Sequence, residues 1–242
     1  MPTAATMQAA PGGTTQTRGG KTQTAMPVVP FIRASSEHRE STGIDVSRLL
    51  IAGGSQDLGV FDIPAYGYVR SLMVIVTGSG GAGTPNFGED YPFSVLRDIA
   101  VTEPNGAVIA QFNSGYDLYL ANKWGGYRDS IGSDARQSPI YTSGATVGDF
   151  AFMLRIPIEL NLRDALGSLP NQNAAATFKL RMALQSGAAS SGVWGSTVPT
   201  TQPNVRVQVY LEAWDQPEVS SAGQTNQVTP PAMNTTRFWS TQ

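Results

Sequence analysis

Between Phe150 and Leu184 the chain alternates twice between apolar and polar residues. Phe152, Leu154, Ile156, Ile158 and Leu160 fall on one face of an extended segment, and Met153, Arg155, Pro157, Glu159 and Asn161 on the other. Successive side chains of a strand point to opposite sides, so a period of two predicts a half-buried β-strand. A short helical turn is expected next: Asn161 can cap it, Asp164 sits near its start, and Gly167 can end it. Pro170-Asn171-Gln172-Asn173 then turns the chain. Phe178, Leu180, Met182 and Leu184 alternate with Lys179 and Arg181 in a second strand. Two strands with one apolar face each, joined by a loop, are the parts of an antiparallel sandwich, and the rest of the chain reads the same way.

Val28–Ile32 begins the ordered body. Leu58–Ile63 predicts a short strand closed by Pro64, with a turn at Tyr66-Gly67. Val69–Val76 is apolar on both faces, Leu72, Val74 and Val76 against Met73 and Ile75, which predicts a central strand covered on both sides. Phe93–Val101 is the next strand. Glu103-Pro104-Asn105-Gly106 forms a hairpin turn, with Asn-Gly supplying positive φ, and Ala107–Phe112 returns antiparallel. Ser114 and Asp117 make a capping box. The helix they open draws apolar cover from Tyr116, Leu118, Tyr119, Leu120 and Trp124, and Gly125-Gly126 stops it. Val205–Ala213 is the cleanest strand, with Val205, Val207, Val209, Leu211 and Ala213 on one face.

Eight or nine such segments, long loops and two short helices predict an all-β fold: an eight-stranded antiparallel jelly-roll sandwich with extended termini. The expected organisation is a flexible N-terminal arm (1–30), a jelly-roll domain (31–217), and a linker with a C-terminal arm (218–242). Met1–Pro30 is low in complexity and cannot by itself bury enough apolar surface to order. The linker Glu218–Pro231 is rich in Ser, Thr, Gln and Pro. The closing Phe238-Trp239 pair is expected to dock on something.

Charged residues make up only 14% of the chain, against about 25% in an average soluble domain, so much of the surface is expected to face other protein. A net charge of −2 gives no bulk attraction to nucleic acid or membrane, and Arg18-Gly19-Gly20 is a single, weak RGG-like copy. The absence of cysteine excludes disulfide and thiolate chemistry. Met1–Ala10 lacks the features of a signal peptide. The densest apolar run, Leu72–Val76, is far shorter than the ~20 residues that span a bilayer.

Gly78-Ser79-Gly80-Gly81-Ala82-Gly83 matches GxGxxG after a strand, and Asp98 lies near the spacing of a ribose-binding acid. A dinucleotide site needs a helix to start there, and Thr84-Pro85-Asn86-Phe87-Gly88 cannot start a long one, so the stretch reads as an inter-strand loop. His38, the only histidine, reads as a solvated residue of a polar loop. No hydrolase, zinc-protease or P-loop motif is present. No catalytic, cofactor-binding or metal-ligating residue is therefore assigned, and no small-molecule substrate or specific nucleic-acid partner is expected. The loops Gly78–Gly88, Tyr127–Gly148 and Gly187–Pro203 are read as the variable surface. Two rival readings make geometric demands. A carbohydrate- or receptor-binding jelly-roll module of a virion spike would line one groove with Trp124, Tyr127 and Trp194. A glycoside hydrolase would hold two loop acids ~5–10 Å apart.

The runs IPIELNLRDALGSLPNQN (Ile156–Asn173), FDIPAYGYVRSLMVIVTGSGG (Phe61–Gly81) and VYLEAWDQP (Val209–Pro217) resemble the first barrel of tectivirus-like double jelly-roll major capsid proteins. TTRFWSTQ (Thr235–Gln242) resembles the lead-in to that family's second barrel, and a second barrel itself is missing. The resemblance implies a non-enzymatic shell subunit of a bacterial virus. It further implies partners: copies of itself in a homotrimer with a pseudo-hexameric outline, other capsid proteins, and an internal membrane beneath the shell. It places the protein in the virion, assembled in the host cytoplasm.

Overall fold

A computed structural model of the chain describes residues 17–18, 21–22, 27–125, 149–160, 164–221 and 223–231. Eight strands form its body: β1 (Glu37–Leu49), β2 (Gln56–Asp62), β3 (Tyr68–Ser79), β4 (Leu96–Thr102), β5 (Val108–Ser114), β6 (Phe150–Pro157), β7 (Lys179–Leu184) and β8 (Asn204–Trp214). One sheet has the order β1-β8-β3-β6 and the other β2-β7-β4-β5. Every one of these pairings is antiparallel. Leu169–Pro170 extends the first sheet beyond the end of β6 by pairing with Val69 and Tyr68. The chain changes sheet at every connection except the β4–β5 hairpin, and this strand order is that of an eight-stranded jelly roll.

The alternation of apolar residues builds the core. Val205, Val207, Val209, Leu211 and Ala213 of β8 are all buried, as are Leu72, Val74 and Val76 of β3 and Phe152, Leu154 and Ile156 of β6. They face Leu58, Leu96, Ile99, Val101, Leu180, Met182 and Leu184 in one continuous cluster. Each fully buried aliphatic or aromatic side chain contributes about 1.5–3 kcal/mol against chain entropy. The hairpin forms as expected: Glu103 N–H donates to Ala107 O (2.8 Å), Gly106 N–H to Glu103 O (2.9 Å), and Gly106 alone of the pair takes positive φ (+88°). The capping box opens α1 (Gly115–Gly125): Asp117 N–H donates to Ser114 Oγ (3.2 Å) and Ser114 N–H to Asp117 Oδ2 (3.1 Å).

Several local expectations are corrected. Phe93–Val95 is a single 3-10 turn, and the strand starts only at Leu96. Residues 164–167 form turns rather than a helix, and Asn161 lies outside the described residues. Among the described residues the second short α-helix is instead Phe31–Ala34. His38 lies not in a loop but in β1, a strand that the alternation does not reveal. β1 is an edge strand, and of its thirteen residues only Ile44 is buried. A bulge at its centre interrupts the period of two: the register with β8 shifts between Gln208 and Tyr210, Gly43 takes φ +78°, and Thr42 Oγ donates to Val209 O (2.8 Å). Such a bulge, with charges on either side, is how a sheet edge avoids pairing indiscriminately with other strands.

The antiparallel order sorts the connections to two ends. One end carries the β2–β3, β4–β5 and β6–β7 connections together with the chain entering β1 and leaving β8. The other carries β1–β2, β3–β4, β5–β6 and β7–β8.

Candidate functional site

At the first of these ends the chain entering the barrel and the chain leaving it meet. Val28–Val29 pairs in parallel with Gln224–Asn226, which pairs in turn with Ser220–Ser221. Tyr68 Oη donates to Val228 O (3.1 Å), and Ser35 Oγ to Asp215 O (2.6 Å). Phe31, on its single helical turn, is fully buried in a small cluster with Tyr68, Ala165 and Trp214, separate from the main core. Its ring meets those of Tyr68 and Trp214 edge-on at 5.3 and 6.2 Å. Part of the stretch read as linker, 218–231, is thus folded back onto the barrel.

Beside this cluster a belt of charges crosses the outward face of the β1-β8-β3-β6 sheet. A bulge between Glu212 and Ala213 puts Glu212 opposite Ser71 while Ala213 and Val69 stay in the core. Arg155 of β6 grips Glu212 with two bonds, Nε to Oε2 (2.6 Å) and Nη2 to Oε1 (3.1 Å). Arg39 of β1 and Ser71 of β3 donate to the same carboxylate. Next to it, Glu159 Oε2 accepts from Trp214 Nε1 (2.7 Å), Ser168 Oγ (2.9 Å) and Arg70 Nε (3.2 Å). Arg70 also reaches Glu37 (2.9 Å), and its guanidinium lies 4.3 Å from the centroid of the Trp214 ring. Asn122 of α1 closes the free edge of β6: its Oδ1 accepts Arg155 N–H (2.7 Å) and its Nδ2 donates to Arg155 O (2.7 Å).

The two buried carboxylates respond oppositely to this setting. Burial alone raises the Glu212 pKa, but the hydrogen bonds and charge of Arg155, helped by Ser71 and Arg39, outweigh it and hold the group below its ordinary value. Glu159 is 1% exposed. Burial dominates there, and the single arginine with the Trp214 and Ser168 bonds does not offset it, so its pKa is raised. Glu159 Oε1 has no hydrogen-bond partner among the described residues.

At the opposite end two of the three loops read as variable surface interlock. Ala82 N–H donates to Thr201 O (3.0 Å), Asn86 N–H to Thr197 O (3.1 Å) and Gly88 N–H to Val193 O (3.0 Å). The third, Tyr127–Gly148, lies outside the described residues. Two glycines of the GxGxxG match, Gly78 and Gly83, serve packing, while Gly80 has open space around it and takes φ +78°. A Cβ on Gly78 would lie 2.2 Å from the Phe150 ring, and one on Gly83 2.9 Å from Thr200 N. No helix follows them, and Asp98 sits on β4 in left-handed backbone at φ +50°. His38 stacks on Tyr66 at 4.0 Å, with Nε2 3.3 Å from Glu40. The carbohydrate groove is not assembled: Trp194 is fully buried and donates to Gln202 Oε1 (3.0 Å), whereas Trp124 is 78% exposed and Tyr127 is outside the described residues. Among the described residues no cluster of three metal-ligating side chains occurs, and no helix is long and apolar enough to cross a membrane.

Sequence reasoning placed Arg155 and Glu159 on the outward face of their segment but read the polar faces of strands as solvated. The signal for their burial was the run Leu72–Val76. Five consecutive apolar residues in a strand mean that its outward face is covered there too.

No family model matches the chain, and no curated protein does. Solved structures of viral double jelly-roll capsid proteins are similar in shape. A crystal structure of the STIV MCP shares 12% identity at a TM-score of 0.44, over 75% of this chain and 49% of that one. A quasi-atomic model of the PBCV-1 virus capsid shares 18% at 0.44, over 75% and 43%. The atomic structure of Sulfolobus Turreted Icosahedral Virus shares 12% at 0.41, over 72% and 44%. The chain therefore spans less than half the length of each. Its jelly-roll assignment rests on its own strand order and pairing.

Proposed function

We propose that the chain is a non-enzymatic structural subunit of an icosahedral viral capsid, of a virus that infects bacteria, and that it assembles with copies of itself into trimers. The observation that carries this reading is the layout of one end. Both chain arms leave the barrel there, paired with each other, beside the part of a sheet's outward face that an arginine–glutamate belt seals. A two-sheet barrel that gathers its arms at one end is a brick made to be tied to neighbours. The likeness of Ile156–Asn173, Phe61–Gly81 and Val209–Pro217 to the first barrel of tectivirus-like capsid proteins supports the same reading, as does the low charge of the chain. Domain boundaries at 1–30, 31–217 and 218–242 belong to this proposal, with 27–30 and 218–231 as the docked roots of the arms.

The test is electron microscopy and light scattering of the purified full chain. Trimers or closed particles are expected. A chain that stays monomeric at high concentration, or one that binds glycans on an array, overturns the proposal.

A further inference from the structure

Glu159 sits where four parts of the molecule converge. It lies just past β6; Arg70 comes from β3, Trp214 from the end of β8, and Ser168 from the β6–β7 connection. Trp214 and the neighbouring Ala165 form two walls of the pocket that holds Phe31, and Arg70 reaches over to Glu37 at the start of β1. The grip on the entering chain, Phe31 to Glu37, is thus built around one carboxylate. All three hydrogen bonds that Glu159 accepts from side chains end on Oε2. Oε1 is buried and has no partner among the described residues.

We propose that Glu159 is a one-proton lock on the N-terminal segment: it binds a proton on Oε1 while Phe31 is docked, and loss of that proton loosens residues 27–36 from the barrel. The geometry allows this because a proton on Oε1 displaces no existing bond, while Oε2 keeps Arg70, Ser168 and Trp214. The ionised form leaves a charged oxygen buried with no donor, which is costly in a low-dielectric site. Lifting Phe31 off Trp214 and Ala165 admits water and lowers that cost, so ionisation favours the loosened state.

The other charges nearby do not take over this role. Arg70 is shared with Glu37. Arg155 and Arg39 are committed to Glu212, which is held ionised. Asp215 Oδ1 accepts the Tyr66 hydroxyl (2.6 Å), and Asp164 Oδ1 accepts Leu166 N–H (3.0 Å). The sign follows from the raised pKa of Glu159. Docking is strongest below the ordinary carboxyl pKa and weakens as pH rises through the raised, docked value. This is a property of the single subunit, and it stands whether or not the chain forms a shell.

Hydrogen exchange of the full chain, corrected for the intrinsic pH dependence of exchange, tests it. The amides to follow are Arg33, Ala34 and Ser35, which bond back to Pro30 and Phe31. Their protection should fall as pH rises from the ordinary carboxyl range through the raised, docked value, by up to about tenfold for each unit separating the docked and loosened pKa values. Glu159→Gln should hold them at one level across the range, and Glu159→Asp should restore a pH dependence. A second readout needs no variant: the wild-type infrared spectrum should show a buried protonated-carboxyl band that disappears over the same pH interval. The same pH dependence in Glu159→Gln, a wild type with none, or the lack of that band overturns the proposal.

Discussion

On the outward face of the β2-β7-β4-β5 sheet the charges sit in water. Arg181 and Asp57 approach to 3.1 Å with side chains 56% and 54% exposed, and Lys179 and Asp62 to 2.8 Å at 44% and 67%. On the outward face of the β1-β8-β3-β6 sheet, Arg155 and Glu212 approach to 2.6 Å with side chains only 7% and 9% exposed. The exposed pairs join neighbouring strands, whereas Arg155 and Glu212 reach across β3, which lies between their strands, and in sequence each of these residues looks alike, a charge on the polar side of a strand. Their energetic weight differs because water screens and solvates the first kind and is excluded from the second. Exposed pairs keep one sheet soluble. At the Glu212 end of the other sheet the buried pair makes the outer surface a structural layer, on which the entering segment and the β6–β7 connection can pack, while further along that face Arg206 and Asp45 pair in water.

Breaking the buried side should produce the largest effect. Glu212→Ala takes away the carboxylate that buried Arg155 grips with two bonds, which should cost about 3–5 kcal/mol in urea unfolding. Replacing the pair together, Arg155→Met with Glu212→Leu, should recover most of that loss, because Arg39 can turn into water. Acid adds a second signature. The stability that Glu212 contributes is present above its ordinary pKa and is lost as pH falls through its lowered value. The double variant should lack that component of acid unfolding. A Glu212→Ala loss under about 1 kcal/mol would mean that water reaches the belt, and the contrast between the two faces would vanish.

A smaller effect of opposite sign is expected on the exposed sheet. Asp98 of β4 holds φ +50° where the register with β7 shifts between Arg181 and Ala183. A left-handed conformation costs a residue with a Cβ about 1–2 kcal/mol, rather less for Asp, whose short side chain tolerates it. Asp98→Gly should therefore stabilise the protein by up to about 1 kcal/mol, read as a raised urea midpoint at unchanged slope. Destabilisation would show that the Asp98 side chain holds the bulge, and that this face too depends on a specific contact.

The same contrast explains what could be read in advance. Strands with one wet face announce themselves, and β7 and β8 were placed to within a residue because Leu180, Met182 and Leu184, or Val205 through Ala213, alternate cleanly. The β4–β5 hairpin and the Ser114–Asp117 box are local chemistry and were legible for that reason. β1 was not, because an edge strand with a central bulge buries only Ile44 and is held by backbone pairing with β8, which leaves no apolar trace. The belt was missed for a different reason. Arg155, Glu159 and Glu212 are individually what a solvated face contains, and the partners that mark them as buried come from far along the chain: Glu212 for Arg155, and Trp214 and Arg70 for Glu159.

The smallest expected effect gives the cleanest control. Asp57 accepts Gly59 N–H (2.9 Å) in addition to its contact with Arg181, and the backbone bond is the larger cause of its lowered pKa. Asp57→Asn keeps an oxygen for Gly59 and removes the charge from a pair that water already screens. The change should be at most about 0.5 kcal/mol, and it should shrink further in high salt. Glu212→Ala should change little with salt, since ions do not enter the belt. A loss at Asp57 as large as that at Glu212 would mean that the exposed sheet is covered in solution, as a neighbouring copy seated on it would do. The solvated face would then be the interface, and the roles of the two sheets would have to be exchanged.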